Sequence, residues 1–234
     1  YTLSLHDALP IWSTGPFSCG IKVKAVRAKG SELKKASPSK GLIRQSFEPL
    51  RLAKELEAAG AAAISCLCEP HRFLGHEEYL RAVAKNVSLP VLYKDFVTTR
   101  YQVARARVSG AAAVLLIVAA LDRDKLKYLI ETARKYEIQT LVETHTEEEI
   151  SVALDAGADI VGVNCRDLKT FRTDPSITAN LIGCIPPDRV RIAESGMRTH
   201  EDVLALREAG ADGFLVGETI MRGENVSSAL RSLM

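Results

Sequence analysis

Ala58-Ala59-Gly60-Ala61-Ala62-Ala63-Ile64 has three counterparts: Val108-Ser109-Gly110-Ala111-Ala112-Ala113-Val114, Asp155-Ala156-Gly157-Ala158-Asp159-Ile160-Val161 and Glu208-Ala209-Gly210-Ala211-Asp212-Gly213-Phe214. Each copy has the same grammar: the end of a helix, a glycine stop, then an apolar strand. The glycines lie 50, 47 and 53 residues apart. Each gap holds a further short strand and helix, so the period is two β/α modules and four periods make eight strands. The intermediate strands follow turns or prolines, at Leu89-Pro90-Val91-Leu92-Tyr93, Ile138-Gln139-Thr140-Leu141-Val142 and Val190-Arg191-Ile192-Ala193. Amphipathic segments from Asp124 to Tyr136 and from Thr146 to Ala156 read as helices, the second opening on a threonine followed by three glutamates that suit a helix N-terminus. Strands alternating with helices predict a parallel sheet, and about eight of them predict an α/β fold closed into a (β/α)8 TIM barrel. The competing fold is a doubly wound open sheet, but no G-x-G-x-x-G turn follows any strand.

With 234 residues, 47% of them apolar, the chain suits one large core and one domain. The barrel is expected over residues 21–234. Residues 1–20 read as an extension foreign to the domain, without the basic start or cleavage pattern of a signal peptide. The segment Ile21 to Ser31 alternates apolar with basic residues, which makes the first strand the weakest of the eight. A net charge of +2 gives no electrostatic footprint for nucleic acid or an anionic membrane. The longest apolar run, Ala111 to Leu121, is too short to cross a bilayer as a helix. The five cysteines lack zinc-type spacing and read as ordinary thiols in a reducing cytoplasm, so no metal is expected.

In such barrels the reacting groups sit at the C-terminal ends of the strands. Here every odd strand delivers ionisable residues at that end: Glu32 and Lys34 on the first, Lys94 on the third, Glu143 on the fifth and Glu194 on the seventh. Glu32 and Lys34 are two apart and so point the same way. Two ammonium and three carboxylate groups would converge, and buried charges persist only when paired or used. Ser195 and Gly196 after the seventh strand, with Gly217 and Glu218 after the eighth, occupy the common phosphate site of this fold.

Glu32-Leu-Lys-Lys-Ala-Ser-Pro-Ser-Lys-Gly41, Leu89-Pro-Val-Leu-Tyr-Lys94-Asp-Phe96, Val114 to Leu121, Val161-Gly-Val-Asn164-Cys-Arg166-Asp-Leu-Lys-Thr170 and Ala193-Glu-Ser-Gly196 resemble, in order and spacing, the motifs of the indole-3-glycerol phosphate synthase family. The resemblance runs from Glu32 to Met234. It implies a cofactor-independent enzyme of tryptophan biosynthesis. Such an enzyme closes the indole ring of an anthranilate-derived ribulose phosphate, 1-(2-carboxyphenylamino)-1-deoxyribulose 5-phosphate, with loss of carbon dioxide and water.

By that resemblance Lys94 is the general acid and Lys34 holds a substrate anion and shares acid duty. Glu143 and Glu32 relay protons, and Glu194 orients the lysines. Ser37, Phe73, Phe96, Leu115, Asn164, Arg166 and Val216 contact substrate, while Ser195, Gly196, Gly217 and the backbone of Glu218 take the phosphate. His145 reads as structural. The resemblance also implies an N-terminal helix capping the barrel mouth and an apolar first strand, neither of which Tyr1 to Lys29 match. A monomer is expected. The competing functions are phosphoribosylanthranilate isomerase, whose early-strand cysteine is replaced here by Glu32 and Lys34, and a barrel that binds a sugar phosphate without turning it over.

Overall fold

A computed structural model describes residues 28–164, 166 and 175–233. The extension at 1–20, the start of the first strand before Ala28, and Cys19, Cys165 and Asp167 lie outside the described residues. Eight parallel strands form the barrel: β1 (Ala28–Leu33), β2 (Ala63–Leu67), β3 (Val91–Lys94), β4 (Ala113–Ile117), β5 (Gln139–Thr144), β6 (Ile160–Asn164), β7 (Val190–Glu194) and β8 (Gly213–Val216). Each pairs with its neighbours in sequence, and β1 pairs with both β2 and β8, which closes the cylinder.

The helices are α1 (Pro49–Ala58), α2 (Glu77–Ala84), α3 (Arg100–Val108), α4 (Arg123–Lys135), α5 (Glu147–Asp155), α6 (Pro175–Gly183), α7 (His200–Glu208), the short α8 (Glu218–Arg222) and α9 (Val226–Ser232). Their apolar faces bury Leu52, Leu80, Val103, Leu126, Ile150 and Leu206 against the outside of the strands. A separate apolar cluster, with Leu92, Leu115, Leu141, Ile160 and Leu215, fills the barrel interior. It forms a floor beneath the mouth.

The glycine repeat has a common geometry. Gly60, Gly110, Gly157 and Gly210 all have left-handed φ angles, of 91°, 93°, 87° and 105°. In each case the glycine N–H donates to the carbonyl three residues back and the next N–H donates to the carbonyl five residues back. This ties off the helix and aims the chain into an even strand. The helix α4 ends the same way, with Glu137 N–H donating to Arg134 and Ile138 N–H to Ala133, yet a glutamate at φ 54° stands where the others have glycine.

β1 is a full six-residue strand despite its polar composition, in register with Gly213 to Val216 on one side and Ala63 to Cys66 on the other. A Cβ on Gly30 would press at 3.1 Å on the carbonyl oxygen of Phe214 and at 3.2 Å on the Leu215 side chain, so a bare glycine suits the close approach of β8 here.

The loop after β1 carries a two-residue antiparallel ladder between Ala36–Ser37 and Gly41–Leu42. Arg44 in this loop donates to the carbonyls of Met221 at 2.9 Å and Gly223 at 3.0 Å, at the end of α8. First and last modules are thereby joined at the barrel mouth as well as in the sheet.

The left-handed backbone at Glu137 strains a residue with a Cβ. Replacing it, Glu137→Gly, should raise the unfolding free energy by about 1 kcal/mol, read from denaturant midpoints at constant slope. An unchanged or lower midpoint would show that the strain is absorbed elsewhere.

Candidate active site

The side chains expected to converge do so. Glu32, Lys94, Glu143 and Glu194 come from β1, β3, β5 and β7, all at the strands' C-terminal ends, and Lys34 follows β1. Lys94 Nζ lies 3.1 Å from Glu194 Oε2, 3.3 Å from Glu143 Oε2 and 3.9 Å from Glu32 Oε1. Lys34 Nζ is 2.7 Å from Glu32 Oε2 and 5.8 Å from the centre of the Phe73 ring. The three carboxylates are nearly closed off from solvent, at 4%, 4% and 2% exposure.

This burial and this pairing set the charges. Burial works against the Lys94 ammonium, but Glu194, Glu143 and Glu32 together outweigh it and hold the lysine charged well above neutrality. Burial also pushes the Glu32 carboxyl up, and Lys34 and Lys94 more than reverse it. Glu143 follows the same course: burial is overcome by Lys94, then by His145 and a hydrogen bond from Asn164. Glu194 is the exception, because burial and the neighbouring Glu143 charge prevail over Lys94 and push it up to about 7. Two ionised carboxylates and one poised near neutrality thus surround one ammonium.

Glycines on even strands make room for these side chains. A Cβ on Gly162 in β6 would collide with Glu194 Oε1, and one on Gly217 after β8 would collide with the Glu32 carboxylate. Gly162 has no place among the sequence-derived candidates, although a lone glycine inside an apolar strand is the usual mark of such a close approach.

All the candidates line one cavity of about 810 Å³. Phe73 and Phe96, their rings 6.5 Å apart, form an aromatic rim with Leu115 and Val216 deeper in the cup. Phe73 is held by Glu69, whose carboxylate accepts from the N–H groups of His71, Arg72 and Phe73 at 2.7 to 2.9 Å. Ser37 lies on the loop after β1 at the cavity wall. Arg166 reaches across the mouth, donating to Ser39 Oγ at 2.8 Å and to Glu218 at 3.3 Å. It ties the loop after β1 to α8.

The far wall holds Ser195 and Gly196, successive residues with left-handed φ angles of 65° and 83°, and Gly217 and Glu218 at the start of α8. Thr219 Oγ1 donates to the Met197 carbonyl at 2.7 Å and holds those two loops together. Lys40, Arg198 and Arg222 add cations to the lining beyond the sequence-derived set; being on loops or a short helix, they show no spacing that marks them. Among the described residues no grouping of His, Cys, Asp or Glu is placed to hold a metal ion. Nor is any described helix long and apolar enough to cross a membrane. Cys66 and Cys68 are buried free thiols and Cys184 is an exposed one.

Residues 24–233 match the family model for indole-3-glycerol phosphate synthase. The chain belongs to the indole-3-glycerol phosphate synthase family. Among the synthases so described, that of Ruminiclostridium cellulolyticum is 49% identical over 202 residues, 86% of this chain and 78% of the relative. That of Sulfurimonas denitrificans is 44% identical over 203 residues, covering 87% of this chain and 77% of the relative. Solved structures agree at the level of fold: a 3-hexulose-6-phosphate synthase superposes with a TM-score of 0.72 at 14% identity, covering 88% of this chain and 97% of that one. A thiamine phosphate pyrophosphorylase from Pyrococcus furiosus gives 0.66 at 17%, covering 88% and 93%. The synthase family resemblance, not these barrels, bears on chemistry, and it favours a synthase over phosphoribosylanthranilate isomerase.

Between the ordinary carboxylate range and about 7, the folded protein keeps a proton on Glu194 that the unfolded chain has released. Stability is therefore lost as pH rises through that window. Glu194→Gln removes the titration, so its thermal midpoint relative to the unsubstituted protein should rise from pH 5 to pH 8. A difference that stays flat or shrinks would show that Glu194 titrates normally.

Proposed function

We propose that this chain catalyses the reaction of its family's name: ring closure of 1-(2-carboxyphenylamino)-1-deoxyribulose 5-phosphate to indole-3-glycerol phosphate, with release of carbon dioxide and water. The observation that carries the reading is the placement of the Lys94 ammonium within 3.1 to 3.9 Å of three buried carboxylates, in a cup with an apolar rim.

Ring closure puts negative charge on the substrate's carbonyl oxygen and positive charge in its aryl ring. Lys94, kept protonated by its neighbours, gives its proton to that oxygen as the ring carbon attacks. Once neutral, the amine is flanked by carboxylates, of which Glu194 at about 7 is matched to returning a proton near neutrality. Loss of the carboxyl group as carbon dioxide restores the aromatic ring. Elimination of the new hydroxyl as water then needs an acid for the oxygen and a base for the adjacent proton. Lys34 or Lys94 fills the first role, and Glu143 or Glu32, both held ionised, the second.

The remaining roles follow from position. Phe73, Phe96, Leu115 and Val216 supply the apolar wall for the aryl ring and exclude water from its cationic intermediate. Asn164, Arg166 and Ser37 bound the anthranilate end, where a guanidinium suits the departing carboxylate. The backbone of Ser195, Gly196, Gly217 and Glu218 receives the phosphate, helped by the cations of Lys40, Arg198 and Arg222. Glycine at 217 serves twice, since a side chain there would displace Glu32.

Purified protein supplied with the substrate should generate indole fluorescence, and Lys94→Ala should lower kcat by about 10²- to 10⁴-fold, the range for loss of a general acid. A folded preparation with no turnover would overturn the reading, as would a Lys94→Ala variant that keeps its rate.

A further inference from the structure

His145 follows β5 directly, two residues after Glu143, so both side chains project to the same side. It is not part of the cavity lining. Its Nε2 instead approaches Glu143 Oε1 at 3.5 Å, the carboxylate oxygen turned away from Lys94. Its Nδ1 faces Glu149 Oε2 at 3.1 Å, and the same oxygen accepts the His145 backbone N–H at 2.7 Å. Glu149 is in turn fixed in the first turn of α5, where its N–H donates to the Thr146 hydroxyl. The imidazole is thus clamped between a carboxylate on its helix side and a carboxylate on its barrel side.

From this geometry we propose that His145 is a positioning residue that holds the Glu143 carboxylate opposite Lys94. The proposal deepens the synthase reading and rests on it.

A neutral imidazole fits this clamp poorly. With Nδ1–H donating to Glu149, its Nε2 lone pair would face the Glu143 carboxylate. An imidazolium presents N–H to both. Burial opposes that cation, and the hydrogen bond and charge of Glu149 from α5, with the charges of Glu143 from β5 and Glu194 from β7, outweigh it, although Lys94 stands on the far side of Glu143. The result is a histidine pKa above its ordinary value. The cation in turn stands second to Lys94 among the charges that keep Glu143 ionised. Nε2 is buried and makes no hydrogen bond among the described residues, so the 3.5 Å approach to Glu143 is its one described ionic contact on that side.

The sign of the pH effect follows. Removing the cation raises the pKa of Glu143, so whatever step needs Glu143 ionised fails at a higher pH than before. His145→Gln should lower kcat about tenfold at pH 7 with KM within about threefold, the scale of losing a group that orients a reacting one. The acid limb of its kcat profile should also move up by about half a pH unit or more. Glu149→Gln, which keeps the imidazole but removes its anchor, should move the same limb in the same direction by less, and it serves if His145→Gln does not fold.

His145→Gln with an unmoved limb and kcat within twofold would overturn the proposal. So would equal losses at every pH, which mark a merely structural role. If the unsubstituted protein has no turnover, the synthase reading fails, while an NMR titration still decides the coupling. The imidazole resonance missing in His145→Gln should titrate above 6.5 and drop by about half a unit in Glu143→Gln. A resonance indifferent to Glu143 would refute the pairing.

Discussion

One ammonium group governs the mouth of this barrel. Lys94 is nearly enclosed, and enclosure alone would strip its charge; three glutamates on three other strands prevent that. The dependence is mutual, because Glu32 and Glu143 are buried more deeply still, and Glu32 stays ionised through Lys34 and Lys94 and Glu143 through Lys94 and His145. A group of this kind is stable only as a whole, since deleting one member leaves an uncompensated charge. The same arrangement suits the proposed chemistry. Proton donor and acceptor groups stand a few ångströms apart, so a proton transfer between them would need little rearrangement.

The barrel supplies this by alternation. Odd strands carry the long ionisable side chains, and the even strands beside them yield space: Gly162 lies under Glu194, and Gly217 under Glu32. Below them Leu92, Leu115, Leu141 and Leu215 seal the floor, so the charged layer has a dry side and a wet side. Around the rim, Arg166, Thr219 and Glu69 hold the loops in fixed relation, each through hydrogen bonds to a neighbouring loop or to its own backbone.

The strand count could be read from the chain because four glycines impose left-handed turns at regular intervals, and only such a residue meets that requirement without strain. Strand-end lysines and glutamates were legible for a similar reason: a charge at the end of an apolar run is a local anomaly. What stayed hidden either leaves no mark in residue type or depends on contacts between distant segments. The clamp on His145 joins Glu143 and Glu149, yet a spacing of two and four residues looks like any strand-to-helix turn. Glu137 occupies a glycine's position without a glycine's identity, so the turn after α4 is invisible by letter. The close approach at Gly30 cannot be seen locally either, because Phe214, the neighbour it accommodates, lies far along the chain.

Closure of the sheet between β1 and β8, reinforced by Arg44 on the carbonyls at the end of α8, bears on how the molecule is made. A chain leaving the ribosome exposes Glu32 and Lys34 early but offers β1 its second neighbour only once residues 213–216 have emerged. Until then one edge of the first strand is unpaired and the Glu32 carboxylate lacks the glycine beside which it packs. Assembly of the charged cup therefore waits on the eighth strand, and a polypeptide truncated before it keeps an open sheet edge.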